Sequence, residues 1–194
     1  MNSPVGLLAL LLVAAALAAV AGCGAEEELE VVEGEPLELG ELRYNVQITR
    51  FLNPGDPEDQ GYLRGQDFPP AEEAYLGVFL TVENEGEEAA ELPEDFRVVD
   101  TAGDEYEPIE SESPFALPLP GHAEDAESAA PEDEEPTSIE PGGEIPEPDT
   151  IPSYGPIGGS MLLFQVDEAV AENRPLELEI PGEGGETGLV ELDI

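Results

Sequence analysis

A chain of 194 residues with 40% hydrophobic and 27% charged residues has the apolar supply of one ordinary core, diluted by 21 glycines and 20 prolines that demand many turns. Its 47 acidic residues face only 5 basic ones, all arginines (Arg43, Arg50, Arg64, Arg97 and Arg174), for a formal net charge of -42. Such a surface repels nucleic acid phosphates and gathers cations and basic partners, which excludes DNA and RNA binding.

Residues 5–21 are apolar apart from Gly6 and carry no charge, and they run into Val20-Ala21-Gly22-Cys23 just before the acidic run Glu26-Glu27-Glu28. This resembles a lipoprotein signal peptide, in which small residues fit the peptidase and the cysteine thiol receives diacylglycerol before cleavage. The stretch is short for a membrane span of about 20 residues, and Cys23 stands where the lipidation motif requires it. Met1-Asn2-Ser3-Pro4 departs from the pattern, since it has no Lys or Arg and the amino terminus alone supplies positive charge. The expectation is that residues 1–22 are removed and that lipidated Cys23 holds the protein on the extracytoplasmic face of the cell membrane. Each buried acyl methylene contributes about 0.8 kcal/mol, so two chains anchor firmly where one is marginal. Cys23 is the only cysteine, and once it is a thioether neither a disulfide nor thiolate chemistry remains.

Residues 23–34 read as an acidic spacer reaching at most about 35 Å. The domain itself is expected over 35–194. Pro36-Leu37-Glu38-Leu39 gives a first strand, and after Gly40 the alternation of Leu42, Tyr44, Val46 and Ile48 against Arg43, Asn45, Gln47 and Thr49 predicts a half-buried strand. Asn53-Pro54-Gly55-Asp56-Pro57 opens a polar loop that runs to Pro69-Pro70. From Ala74 to Glu83, Leu76, Val78, Leu80 and Val82 lie on one face and Tyr75, Phe79 and Thr81 on the other, the pattern of a central strand, which turns at Asn84-Glu85-Gly86. Phe96, Val98 and Val99 start a hairpin that turns at Ala102-Gly103-Asp104 and returns from Tyr106 to Ile109. Three further strands are expected at 160–166, 176–180 and 189–192, with a single helical turn at 167–173.

Residues 122–152 are rich in Glu, Pro, Ala and Ser, with Ile139, Ile145 and Ile151 as their only large apolar side chains. They read as a disordered acidic insertion, because so little apolar surface does not offset the entropy of ordering. Seven or more short strands with almost no helix predict an all-β fold, an antiparallel Ig-like β-sandwich of two sheets.

The ordered part resembles the telokin-like, immunoglobulin-fold domains of bacterial lipoproteins, a family of unknown function. The resemblance rests on Gly34-Glu35-Pro36-Leu37-Glu38-Leu39-Gly40 with Tyr44-Asn45-Val46, on Tyr75-Leu76-Gly77-Val78-Phe79-Leu80-Thr81-Val82-Glu83-Asn84-Glu85-Gly86, and on Phe96-Arg97-Val98-Val99-Asp100 with Gly103 and Tyr106. Gly158-Gly159-Ser160-Met161-Leu162-Leu163-Phe164 and Pro175-Leu176-Glu177-Leu178 complete it. It implies a surface accessory or binding module and brings no catalytic residues with it. The acidic insertion departs from the compact family pattern.

A catalytic triad needs a base, yet His122 is the sole histidine and lies in the insertion. No enzyme and no cofactor are expected. The partners expected are the membrane, through its lipid anchor, and a second cell-surface protein. The alternative is a calcium or other cation-binding surface protein, for which Asp56, Glu58 and Asp59 crowd a turn beside Asn53 and the Gly55 carbonyl without EF-hand spacing. Tyr62, Phe68 and Phe115 lie in loop segments, where they either cap the sandwich or form a binding patch.

Overall fold

The computed structural model describes residues 28–119 and 137–194. Chain order gives β1 (Glu28–Val32), β2 (Pro36–Leu39), β3 (Leu42–Leu52), β4 (Glu73–Asn84), β5 (Ala90–Glu91) and β6 (Arg97–Val99). The remaining strands are β7 (Glu105–Tyr106), β8 (Ser138–Ile139), β9 (Glu144–Ile145), β10 (Ser160–Asp167), β11 (Leu176–Pro181) and β12 (Thr187–Leu192). They form two main sheets, ordered β1-β12-β11-β6-β7 and β10-β4-β3-β2, with β9 added on β4 and a small β5-β8 pair. The fold is an all-β sandwich. Among the described residues no helix is long and apolar enough to cross a membrane.

The core lies between the sheets because one side of each strand is apolar at every second residue. β4 contributes Leu76, Val78, Leu80 and Val82, β10 contributes Leu162, Phe164 and Val166, and β11 faces them with Leu176, Leu178 and Ile180. The four β-sheet-facing residues of β4 are essentially inaccessible to water. Burying each such side chain contributes about 1.5–3 kcal/mol, so the alternation read from the sequence is also the main source of stability. The other face of β4 is covered as well. Tyr75 and Phe79 pack there with Leu52, Met161, Leu163, Tyr62 and Leu63.

Four sequence expectations change. Ile48 does not join Leu42, Tyr44 and Val46, because a β-bulge between Val46 and Ile48 leaves Gln47 without a partner opposite it on β4. The bulge reverses the alternation: Ile48 is 38% exposed and Thr49 is buried. Residues 28–32, read as spacer, instead form β1, which pairs in parallel with β12 and lays partly buried Val31 against the core. The sandwich is therefore not wholly antiparallel, and it begins within the presumed spacer.

The fourth change concerns the insertion. Residues 122–136 lie outside the described residues, but 137–152 are ordered, with Ile139 and Ile145 buried. The reason is an unfinished edge. β10 pairs with β4 only from Glu73 to Leu80, and β9 takes over the same role at Val82 and Glu83, so the end of β4 is not left with bare backbone groups. Of the three isoleucines only Ile151 stays exposed.

The β6–β7 turn is held by Asp100. Its Oδ1 accepts from the N–H groups of Ala102 (2.8 Å) and Asp104 (3.0 Å), and its Oδ2 accepts from Asn173 Nδ2 (2.9 Å). Burial alone pushes the carboxyl pKa up, but these donors outweigh it and hold it below the ordinary aspartate range. Gly103 supplies the positive φ of 87° that closes the turn.

Candidate functional site

The expected cation turn is folded in a way that spends its acids locally. Asp59 is buried and turned inward, where it accepts from Arg50 Nη2 and, at 2.9 Å, from the Asn53 N–H. Asn53 Oδ1 accepts from the Gly55 N–H and Asp56 Oδ1 from the Glu58 N–H, both at 2.9 Å. These are the turn bonds that Asn and Asp commonly make to their own backbone. Among the described residues no group of three or more His, Cys, Asp or Glu converges as a metal site.

The loop aromatics divide. Tyr62 is buried, edge-on to Phe79 at 5.0 Å between ring centroids, and Phe115 packs on Tyr62 at 4.7 Å. Both cap the outer face of the β4 sheet. Phe68, at 71% exposure, does not pack in this way. Cys23 and His122 lie outside the described residues.

One concavity was not foreseen. At the pole where β2 turns into β3 lies a groove of about 820 Å³. One wall is Leu39 to Leu42, another is Glu88 to Asp95, and Pro181-Gly182 at the end of β11 closes the third side. Its apolar lining includes Leu39, Leu42 and Leu92, and its polar lining includes Glu41, Glu88, Glu91, Glu94 and Asp95, with no basic residue among them. Tyr44, 2% exposed, reaches this groove from β3, its ring edge-on to Phe96 at 6.4 Å. Burial pushes its pKa well above that of free tyrosine.

β1 begins at the same pole. Glu28 lies in register with Thr187, and Thr187 with Pro181 of the groove wall. The sequence placed Tyr44 in the core, correctly for its ring. The open space beside its hydroxyl arises from loops far apart in the chain, and no local pattern signals it.

Beyond the bonded arginines there is little to offset the negative charge. Arg43 meets Glu83 at 3.2 Å and Arg97 meets Glu105 at 3.0 Å, both on the surface, where an ion pair contributes little. Self-repulsion at a net charge of -42 is therefore expected to strain the fold at low ionic strength. Sodium chloride should raise the melting temperature by at least about 2–4 °C, the equivalent of 1 kcal/mol at this size. Calcium chloride at matched ionic strength should add nothing beyond screening, whereas a true site would add stability as RT ln(1 + [L]/Kd). Melting curves in the two salts decide it, and indifference to both would overturn the repulsion argument.

The fold and groove together define a β-sandwich that presents an acidic, partly apolar concavity at one end. No family model matches the chain, and no curated protein matches it. Among solved structures the chain is similar to an uncharacterized β-sandwich protein from Clostridium difficile, at 12% identity and TM-score 0.48, covering 89% of this chain and 99% of that one. It is similar to the yjhA protein from Bacillus subtilis, at 13% identity and TM-score 0.45, covering 86% and 99%. A third similarity is to a candidate lipoprotein, ycdA, from Bacillus subtilis, at 11% identity and TM-score 0.46, covering 84% of this chain and 39% of that one.

Proposed function

We propose that this chain is a lipoprotein anchored through Cys23 to the extracytoplasmic face of the cell membrane. Its telokin-like, immunoglobulin-fold sandwich serves as a non-catalytic accessory module that binds another protein at that surface. The observation that carries the reading is Val20-Ala21-Gly22-Cys23 after an uncharged apolar stretch. The start of β1 supports it: Glu28 is the fifth residue after Cys23, a length of chain that spans at most about 18 Å. The groove pole is thereby kept close to the bilayer, where a neighbouring membrane protein is within reach.

Changing Cys23→Ser is expected to release the protein from membranes or to leave the precursor unprocessed. Cell fractionation with mass measurement of the amino-terminal peptide reads both. A wild-type protein recovered wholly soluble, with its Cys23 thiol unmodified, overturns the anchor.

A further inference from the structure

We propose that a small cavity on the edge of β10 receives one apolar residue of an extended partner chain. A side chain the size of leucine enters the cavity, and the backbone carbonyl beside it accepts from the Leu163 N–H. This names the contact made by the module proposed above and rests on that reading. The cavity, of about 230 Å³, has buried Met161, Leu162 and Leu163 as its floor and reaches the surface at exposed Pro118. Ile109, Ala116 and Leu117 form its outer wall, and none of the described residues lining it is ionisable. On a chain with 47 acidic residues an uncharged, mainly apolar cavity selects an uncharged group.

A second, independent observation is an unmet donor. On the edge of β10 that faces away from β4, the Met161 N–H donates to the Phe115 carbonyl (2.6 Å), and the Met161 carbonyl accepts from the Leu117 N–H (2.8 Å). Two residues on, the Leu163 carbonyl accepts from the Ile109 N–H (2.7 Å). The Leu163 N–H lies between these contacts, because alternate residues of a strand direct both backbone groups to the same side. It has no backbone partner among the described residues, although Leu163 is buried. A regular antiparallel pair would give it to the Ile109 carbonyl, but the chain is drawn away from β10 just there. The Glu110 carbonyl accepts from Gln66 Nε2 (2.7 Å), and Ser113 Oγ donates to the Gly61 carbonyl (3.0 Å). Buried backbone N–H groups are nearly always paired, so an open one beside a cavity is a place for a ligand's acceptor.

Size narrows the ligand. An apolar cavity of about 150 Å³ already holds benzene, whereas pockets for cofactors and drug-sized ligands begin near about 300 Å³, so the space on β10 suits a single branched aliphatic side chain. A main-chain bond to a sheet edge combined with a side-chain pocket is also how an added strand is recognised.

The full chain, isotope-labelled and held in lipid nanodiscs, is titrated with the acetylated and amidated peptide Ala-Ala-Leu-Ala-Ala while NMR follows the Leu163 amide. A saturable shift of that amide is expected, with a Kd in about the millimolar range for so small a contact. The same peptide with glutamate in place of leucine should leave it unmoved. Ala116→Leu, which fills the cavity from its wall, should weaken binding by about tenfold or more, the equivalent of losing the burial of one such side chain. Ala116→Val, with one methylene less, takes its place if Ala116→Leu melts below wild type.

A Leu163 amide that does not move with the leucine peptide overturns the proposal and leaves the cavity to solvent. Equal binding of the glutamate peptide overturns it too, as does unchanged binding by a cavity-filled variant that melts like wild type. A partner that co-purifies equally with wild type and Ala116→Leu would keep the protein-binding reading while removing this cavity from it. Failure of any kind leaves the Cys23 anchor untouched, since fractionation tests that separately.

Discussion

Replacing Asn84 with alanine is expected to lower the stability of the domain by about 2–3 kcal/mol, because one fully buried side chain joins three pieces of chain. Asn84 Nδ2 donates to the carbonyls of Glu88 (2.8 Å) and Ile139 (2.7 Å), and Oδ1 accepts from the Gly86 N–H (2.8 Å). The Asn84 backbone adds bonds of 3.0 Å to the Gly143 carbonyl and 2.9 Å from the Gly142 N–H. Alanine keeps the backbone bonds and strips the others, leaving the buried Ile139 carbonyl without its donor, while the Glu88 carbonyl and the Gly86 N–H are partly open to water. A polar group left unpaired costs about 1–3 kcal/mol if it stays buried.

The damage should be local before it is global. Residues 137–146 bury only Ile139, Ile145 and Pro146, so the loss of Asn84 should free them first and expose the end of β4. Limited proteolysis should then cut this segment in Asn84→Ala and spare it in wild type. Asn84→Asp should be at least as harmful, since a carboxylate sets an acceptor against the two carbonyls that Nδ2 now serves. A denaturant midpoint within about 0.5 kcal/mol of wild type for Asn84→Ala would show that solvent already satisfies these groups.

The same residues explain which parts of the fold were legible in the sequence. Runs such as Leu76 to Val82 and Leu176 to Ile180 repeat with period two over enough residues to declare both strand and buried face. β8 and β9 are two residues each, too short for any period, and they order through the edge of β4 and the Asn84 bonds across 55 residues. The bulge at Gln47 was equally hidden, because Ile48 continues the apolar alternation and only the register with β4 breaks it. β1 was obscured by the acidic run before it, its pairing lying at the far end of the chain. The groove escaped for the same reason: its walls come from residues 39–44, 88–95 and 181–182, and its one informative side chain, Tyr44, reads locally as core.

Arg50→Ala is expected to cost about 3 kcal/mol, roughly 6–12 °C in melting temperature for a domain of this size. Asp59 is the reason. Its carboxylate is 2% exposed and its charge is met by Arg50 on the outer face of β3, while its backbone carbonyl accepts from the N–H groups of Tyr62 and Leu63. Without Arg50 the carboxylate keeps a single bond, from the Asn53 N–H, and its charge is left uncompensated. The figure sits at the low end for breaking a buried pair, because the arginine side chain is 35% exposed and water screens that side. The loop carrying Tyr62 and Leu63 should loosen from Phe79 as a result, exposing the smaller of the two apolar clusters. Asp59→Asn removes the charge while keeping an acceptor for Asn53, so it should cost less than Arg50→Ala. Arg50→Met combined with Asp59→Asn should recover much of the loss, and thermal melts of the four proteins give the coupling directly. Calcium sharpens the test. In Arg50→Ala the freed Asp59 carboxylate shares a turn of the chain with Asp56 and Glu58, and if that turn had the geometry to hold a divalent ion, millimolar calcium would restore the lost stability. No restoration is expected, because Asn53 Oδ1 and Asp56 Oδ1 already accept from the backbone of the turn itself. Recovery in calcium but not in sodium chloride of equal ionic strength would make this turn a cation site that Arg50 occupies by substitution.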